Sequence, residues 1–98
     1  AYAASKGGVR LYSKALAMEV AASNIRVNSV HPGVIWTDMQ KVALADNPEG
    51  YDSINASIPM RRMGEPDDIA NMVAFLLSDR SKYITGSEFV VDGGLTAQ

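Results

Sequence analysis

The sequence predicts an α/β fold built on a parallel sheet. Segments whose apolar residues recur at helical spacing alternate with two short segments that are rich in β-branched residues. A helix and a strand followed by another helix and strand favour a parallel sheet, because each helix carries the chain back to the same edge. The 98 residues fit one small domain or part of a larger one.

The composition is that of an ordinary globular protein, with 47% hydrophobic and 20% charged residues. Nine Lys and Arg face eleven Asp and Glu with no basic block, so we expect no nucleic-acid partner. The absence of cysteine excludes disulfides and thiolate zinc sites and favours a cytoplasmic protein. No apolar run approaches the roughly 18 residues of a membrane-spanning helix, so we expect no membrane partner.

The first predicted helix covers residues 2–23, which contain no proline and carry apolar residues in two stripes. The stripes consist of Val9, Tyr12, Leu16 and Val20, and of Leu11, Ala15, Met18 and Ala22. Two stripes predict a helix that packs on two sides, against its own sheet and against another element or subunit. Residues 25–30 then alternate in polarity and predict a strand that His31-Pro32-Gly33 stops.

Three further segments complete the fold. Thr37 is a candidate N-cap with Gln40 at capping-box spacing, so a helix is predicted to begin after it. Residues 38–58 form this segment, and Asn47-Pro48 divides it into two short helices. Pro66 and the acidic first turn after it predict a helix over residues 66–78. Residues 88–91 form the final predicted strand, closed by Asp92-Gly93-Gly94.

Tyr2 and Lys6 are the strongest candidate catalytic pair. Four residues apart on a helix, their side chains share a face, so the ammonium can lie near the phenol. A positive neighbour lowers the tyrosine pKa from about 10, which makes the phenol a better proton donor and acceptor near neutral pH. The alternative is a chance spacing of a packed tyrosine and a solvated lysine.

Tyr2 and Lys6 open a series of motifs in a characteristic order. They are Tyr2-Ala3-Ala4-Ser5-Lys6-Gly7-Gly8, Ile25-Arg26-Val27-Asn28, His31-Pro32-Gly33, Arg62-Met63-Gly64-Glu65-Pro66, Asp68-Ile69-Ala70 and Val91-Asp92-Gly93-Gly94. Together they resemble the C-terminal part of the short-chain dehydrogenase/reductase family. The resemblance covers essentially the whole chain, and the ending looks most like the secondary-alcohol dehydrogenase and ketoreductase branch.

This resemblance implies the last two strands, and their helices, of a Rossmann-type doubly wound parallel sheet. NAD or NADP would exchange hydride with a carbonyl or alcohol carbon, Tyr2 would be the general acid and base, and Lys6 would bind the nicotinamide ribose. The nicotinamide half of the cofactor would meet Pro32, Gly33, Val34, Ile35 and Thr37, after the end of a strand, where open sheets bind ligands. A plain helix cap is the alternative for Thr37, and one residue can serve both roles.

In the family, residues 38–58 correspond to the variable substrate lid. Its apolar candidates for lining a small or medium alcohol or ketone are Val34, Trp36, Met39, Val42, Tyr51 and Ile54. Ordinary packing is the alternative for each of them. His31 is the only histidine, so we expect a structural role for it and no metal site. Asn55-Ala56-Ser57 fits a glycosylation sequon, which we interpret as chance because no secretory leader is recognisable.

The family's glycine-rich phosphate turn and its catalytic serine lie upstream of the motif tyrosine, and none of these 98 residues supplies them. Ala1 stands where a complete chain would have Met, so we expect this chain to be the C-terminal part of a longer enzyme and to be inactive alone. The family is usually dimeric or tetrameric, which implies a homodimer or homotetramer. The rival interpretation is a truncated, non-catalytic oligomerisation module of the same fold.

Overall fold

The computed structural model describes the backbone of residues 2–98 and the side chains of residues 4–98. Its elements are α1 (Tyr2–Val20), β1 (Ser29–Pro32), α2 (Asp38–Ala43), α3 (Pro48–Ser57), α4 (Pro66–Leu76) and β2 (Glu88–Val91), with short 3₁₀ turns at Ala21–Ser23, Asp79–Ser81 and Leu95–Ala97. β1 and β2 pair in a two-stranded sheet. Ser29 N–H donates to Ser87 C=O and Gly33 N–H to Val91 C=O, which is parallel register. The predicted α/β class with a parallel sheet is confirmed.

The described chain divides into two compact units. The first consists of the described residues of Ala1–Val30 together with Met72–Phe89. The second consists of His31–Asn71 and Val90–Gln98. In the first unit the buried apolar residues are Ala17 and Leu76, and in the second they are Ile58 and Met63.

The first helix ends through a left-handed residue. α1 stops at Val20, a 3₁₀ turn continues to Ser23, and Asn24 then has φ of 61°. Asparagine tolerates this conformation better than other residues with a side chain, and its N–H donates to Ala21 C=O at 3.0 Å. The predicted helix over 2–23 therefore includes one turn of a different helical type.

The apolar stripes of α1 are largely exposed. The exposed fractions include 53% for Val9, 73% for Leu11, 70% for Tyr12 and 83% for Met18, whereas Ala17 is 1% exposed. Ala17 packs beside Gly86, where an added Cβ would lie 3.6 Å from the alanine methyl. Within the described part of the chain, only this narrow strip of α1 is fully covered.

The first strand covers residues 29–32 rather than the predicted 25–30. Before Ser29 the opposite segment turns at Gly86, whose φ is 70°, so a regular ladder cannot start there. Side chains replace it: Val27 N–H donates to the Thr85 hydroxyl, and Ser87 N–H donates to the Asn28 amide oxygen. At the other end, Pro32 is tolerated because Ser29 and Gly33 direct their N–H groups to β2, so residue 32 faces away.

The Arg26 guanidinium ties the start of β1 to the end of α4. Nη2 donates to Leu76 C=O at 2.8 Å and Ser78 C=O at 3.4 Å, and Nη1 donates to the Ser81 hydroxyl at 3.0 Å and Ile84 C=O at 3.4 Å. The last carbonyls of a helix have no partner within it, and a cation there also complements the helix dipole. The helix predicted over 66–78 accordingly ends at Leu76, where its carbonyls turn to Arg26 and to the fully buried Ser81.

The helices of the second unit begin at side-chain caps, of which Thr37 was predicted from the sequence. The Thr37 hydroxyl accepts from Gln40 N–H at the start of α2, and the Asn47 amide oxygen accepts from Gly50 N–H at the start of α3. At the start of α4, the Asp68 carboxylate accepts from Glu65 N–H at 2.7 Å. Asp68 therefore belongs to the acidic first turn predicted after Pro66.

The turn after β2 is organised by the Asp92 carboxylate. It accepts from Gly94 N–H at 2.9 Å, from Thr96 N–H at 3.0 Å and from the Thr96 hydroxyl at 2.7 Å. The Thr96 hydroxyl, with the backbone N–H groups of the turn, holds the pKa of Asp92 below its usual value. Gly93 and Gly94 have φ of 64° and 94°, which glycine alone adopts without strain.

We predict that Arg26→Leu lowers the free energy of unfolding by about 2 to 3 kcal/mol, because it leaves carbonyl groups without their charged donor. The free energy of unfolding of Arg26→Lys should lie between those of the wild type and Arg26→Leu. A single ammonium cannot reach all the oxygens that the two arms of the guanidinium contact. Urea denaturation of the protein measures both, with Arg80→Leu, an exposed site in the neighbouring turn, as the matched control. An equal loss in the Arg80 variant would contradict the role of Arg26.

We predict that the Asp92 turn stabilises the protein only while the carboxyl is ionised. Its folded-state pKa lies below the unfolded value of about 3.9, so the stabilisation is fully present above about pH 4 and is lost as pH falls through the folded-state pKa. The stability difference between wild type and Asp92→Asn should therefore shrink as unfolding is measured from about pH 6 down to about pH 2. A difference that is constant with pH would contradict this assignment.

Candidate functional site

The loop after β1 is held by a short parallel pairing with Gly64. Gly64 N–H donates to Val34 C=O at 2.9 Å, and Trp36 N–H donates to Gly64 C=O at 2.7 Å. These two bonds form a bridge between Ile35 and Gly64. A Cβ on Gly64 would lie 2.7 Å from Ile35 Cδ1, so a side chain there would require the end of the Ile35 side chain to shift. The pairing fixes the backbone of three residues predicted to meet cofactor or substrate.

The same bridge leaves the Ile35 amide directed away from Gly64. In a parallel bridge the flanking residues make the bonds, so Ile35 presents its own N–H and C=O on the opposite side. The C=O accepts from Thr37 N–H at 2.8 Å. The N–H has no hydrogen-bond acceptor among the described residues, which leaves a fixed backbone donor available to a bound molecule.

Gly33 begins this loop in a position that has no room for a side chain. An added Cβ would lie 2.6 Å from Asp92 Cβ and 2.8 Å from Asp92 Cα. Real Cβ atoms do not approach this closely, so any other residue would displace the end of β2. Pro32, which precedes it, is exposed at the end of β1.

Thr37 lies at the end of the loop, and its side chain is exposed. Its hydroxyl accepts from Gln40 N–H at the long distance of 3.4 Å, as the cap of α2. Accepting this bond leaves the hydroxyl hydrogen free to be donated to another group. The helix-cap interpretation is thus observed, and it is compatible with a ligand contact.

Tyr2 and Lys6 both belong to α1, in the first compact unit. The helix is continuous over the two positions, as the four-residue spacing requires. Lys6 is partly buried, and the side chain of Tyr2 lies outside the described residues.

Among the six candidate substrate residues, Trp36 and Tyr51 are brought into direct contact. Their ring centroids are 5.1 Å apart and the ring planes meet at 75°, an edge-to-face arrangement. Ile54 is partly buried in α3, one turn after Tyr51. Met39 and Val42 of α2 are 83% and 80% exposed, so neither packs into the described chain. Trp36 and Tyr51 thus form an aromatic wall beside the loop.

Sequence reasoning assigned no role to Asn55, which links α3, the helix of Tyr51, to Met63. The Asn55 amide oxygen accepts from Met63 N–H at 2.8 Å, and its NH₂ group donates to Tyr51 C=O at 3.0 Å. A sequon was the only local pattern that drew attention to it. No spacing rule connects residue 55 to residue 63 before the loop between them is folded.

An open cavity of about 250 Å³ lies within the second unit. Its lining is Val34, Ile35, Met60, Arg62, Gly64, Asp68, Val91, Asp92 and Gly93. The Arg62 guanidinium and Asp68 carboxylate are 3.2 Å apart at its edge. The Glu65 N–H and then Arg62 hold the pKa of Asp68 below its usual value, so the pair is ionised at neutral pH. Both charges are already matched within the protein.

Neither a metal-type cluster nor a membrane-spanning helix occurs among the described residues. No group of three or more His, Cys, Asp or Glu side chains there is arranged to hold a metal ion. No helix of the described chain is both long enough and apolar enough to cross a membrane.

Comparison with known proteins places the chain among reductases and dehydrogenases. The family model described as Enoyl-(Acyl carrier protein) reductase matches residues 1–96. Cyclopentanol dehydrogenase of Comamonas sp. (strain NCIMB 9872) is 48% identical over 97 residues, which cover 99% of this chain and 38% of the relative. The NADP-dependent (R)-specific alcohol dehydrogenase of Lentilactobacillus kefiri is also 48% identical, over 103 residues, which cover 100% of this chain and 39% of the relative. The chain therefore spans about two fifths of the length of these relatives.

A solved structure shows the same fold. An oxidoreductase of the short chain dehydrogenase/reductase family from Burkholderia thailandensis matches with a TM-score of 0.91 and 36% identity, over 99% of this chain and 38% of that one. The match confirms the predicted Rossmann-type class. Since the family model spans nearly the whole chain and a solved member follows its backbone throughout, the chain belongs to the short-chain dehydrogenase/reductase family.

Proposed function

We propose that this chain is the active-site and substrate-binding part of an NAD- or NADP-dependent oxidoreductase that interconverts a secondary alcohol and a ketone. The observation that carries the proposal is the continuous helix α1, which sets Tyr2 and Lys6 four residues apart on one face. The names of two relatives, a cyclopentanol dehydrogenase and an (R)-specific alcohol dehydrogenase, support the substrate class.

The loop after β1 fits a nicotinamide cofactor. The carboxamide of nicotinamide has a carbonyl oxygen, and the unpaired Ile35 N–H is a donor suited to it. Gly33 lets the backbone run close to the end of β2, and the Thr37 hydroxyl retains a hydrogen to donate to the carboxamide or a phosphate. Pro32 and Val34 complete this stretch, whose course is fixed by Gly64.

When bound, the nicotinamide supplies or accepts hydride at the substrate carbon. The protein moves the proton: in reduction, the Tyr2 phenol donates it to the substrate oxygen, and in oxidation the Tyr2 phenolate takes it back. The Lys6 ammonium favours the phenolate by its positive charge and hydrogen-bonds the nicotinamide ribose. Lys6 therefore serves both catalysis and cofactor binding, and Tyr2, which is also proposed to border the cofactor, acts chiefly through its transferable proton.

The substrate is proposed to be a small or medium ketone or alcohol held on an apolar surface. Trp36 and Tyr51 form the part of that surface that is ordered by direct contact, and Val34, Met39, Val42 and Ile54 supply the rest. The exposed Met39 and Val42 suit a lid that closes over an apolar molecule. We further propose that the enzyme is cytoplasmic and that it forms a homodimer or homotetramer. The assembly is supported by the exposed apolar residues of α1, which suit burial against a second subunit.

We predict that Tyr2→Phe in the full-length enzyme lowers kcat by at least about 100-fold and leaves cofactor affinity nearly unchanged, because only the transferable proton is lost. Steady-state kinetics and cofactor titration measure the two effects. Tyr12→Phe, which removes an exposed phenol ten residues along the same helix, is the matched control and should retain full activity. More than a tenth of the parent rate in Tyr2→Phe would rule out the assignment.

We predict that Lys6→Met weakens cofactor binding and also shifts the pH-rate profile, since one ammonium is proposed to serve the ribose and the phenol. The alkaline limb should move to higher pH, because a tyrosine without a positive neighbour ionises later. Lys14→Met on the exposed surface of α1 controls for loss of charge. Normal cofactor affinity together with an unchanged profile would contradict the role of Lys6.

A further inference from the structure

We propose that Asn55 is a positioning residue that sets the place of the Trp36–Tyr51 wall and thereby the size of substrate that the enzyme accepts. This inference rests on the proposed function, because it assigns a use to the apolar surface of that site. Its evidence is a closed ring of contacts that lies wholly within the second compact unit.

The ring passes through five residues. From Trp36, the edge-to-face contact leads to Tyr51, whose C=O accepts from the Asn55 NH₂ group at 3.0 Å. The Asn55 amide oxygen accepts from Met63 N–H at 2.8 Å, and the next residue is Gly64. Gly64 C=O accepts from Trp36 N–H at 2.7 Å, which closes the ring. Both ends of the Asn55 amide are therefore used, one on the backbone carbonyl of Tyr51 within α3 and one on Met63, next to the glycine that fixes the loop.

The helix that carries Tyr51 has little else to hold it at this point. α3 has only ten residues and none of them is buried, and a helix of that length without a buried face is marginal by itself. Its last turn has separate attachments: the Arg61 guanidinium donates to Ala56 C=O, and the Gln98 NH₂ group to Ser57 C=O. Among the hydrogen bonds of the described residues, the bond from Met63 N–H to Asn55 is the one that joins the turn bearing Tyr51 to the Met63–Gly64 segment.

The Asn55 amide bonds to the backbone of Tyr51 and Met63 and takes no part in the chemistry, so its effect on turnover is indirect. Without it, Tyr51 can withdraw from Trp36, and the apolar surface offered to the substrate widens or loses its shape. A displaced wall should weaken binding in the ground state and the transition state alike, which raises KM and leaves kcat nearly unchanged. The effect should depend on substrate size, because an apolar pocket discriminates by fit.

The test compares Asn55→Ala, Asn55→Asp and Asn47→Ala in the full-length enzyme. Asn55→Ala removes both bonds. Asn55→Asp keeps an acceptor for Met63 N–H and loses the donor to Tyr51 C=O. Asn47→Ala is the matched control, because Asn47 caps the other end of α3 by accepting from Gly50 N–H and takes no part in the ring.

Two measurements are made on each variant. Steady-state kinetics use one small and one bulky ketone at saturating cofactor. Fluorine NMR of protein labelled with 5-fluorotryptophan observes Trp36, whose resonance is assigned by its loss in Trp36→Phe and is sensitive to the Tyr51 ring in edge contact. The second measurement needs no substrate, so it reports the wall even if catalysis is absent.

We expect Asn55→Ala to change the ratio between the KM values for the small and the bulky ketone about tenfold. The kcat for each ketone should stay within about threefold of the parent. The Trp36 resonance should move toward its position in Tyr51→Leu, and Asn55→Asp should give an intermediate shift. Asn47→Ala should move the resonance and the KM ratio much less, although it lowers the melting temperature.

The proposal is overturned if the Trp36 resonance stays in place in Asn55→Ala, or if Asn47→Ala reproduces the Asn55→Ala shift, since helix stability would then explain both. If Asn55→Ala does not fold, Asn55→Asp decides, and a parent-like resonance and KM ratio in that variant overturn it. An enzyme that reduces no ketone contradicts the proposed function, and the fluorine shift alone then decides the place of the wall.

Discussion

The two hydrogen bonds between Gly64 and the loop after β1 are the constraint on which the second unit depends. They join residues 34–36 to a segment about thirty positions later, just before α4 begins. They bring Gly64 against the Ile35 side chain, whose Cδ1 would lie 2.7 Å from a Cβ at position 64 and would have to move to admit one. One pairing thus orients the Ile35 amide outward, sets the backbone of Trp36 and fixes where α4 starts relative to the loop.

Around this pairing, the short helices are held by polar side chains more than by burial. α2 and α3 contain no buried residue, and each begins at a side-chain cap, from Thr37 and Asn47 respectively. α4 buries only Leu76, and its two ends are closed by Asp68 and Arg26. Since each such bond contributes only about 1 kcal/mol, the helices can shift at small cost unless several bonds act together. In α2 and α3, such weakly held segments suit the proposed substrate lid.

Local patterns in the sequence predicted most of the elements but not how they are joined. The helix starts at Thr37 and Pro66 and the strand over 88–91 were predicted correctly. Capping and alternation depend on neighbours only a few residues away. The first strand was wrong in its bounds, since only the turn at Gly86 on the opposite segment decides where its ladder begins. Trp36 and Tyr51 were each proposed for the substrate surface, yet their contact and its link through Asn55 depend on a loop closure that periodicity does not encode.

The partners of Arg26 have a consequence for the behaviour of the protein in salt. Its guanidinium is bound by three carbonyls and a hydroxyl, none of which carries a formal charge. By contrast, the ion pairs of the described chain, Arg10–Glu88, Lys41–Asp38 and Arg62–Asp68, are all partly exposed and weaken as mobile ions screen them. A cation held by dipoles in a half-buried place is much less sensitive to ionic strength. The attachment of the strand to the end of α4 is therefore salt-tolerant even where the surface charges are not.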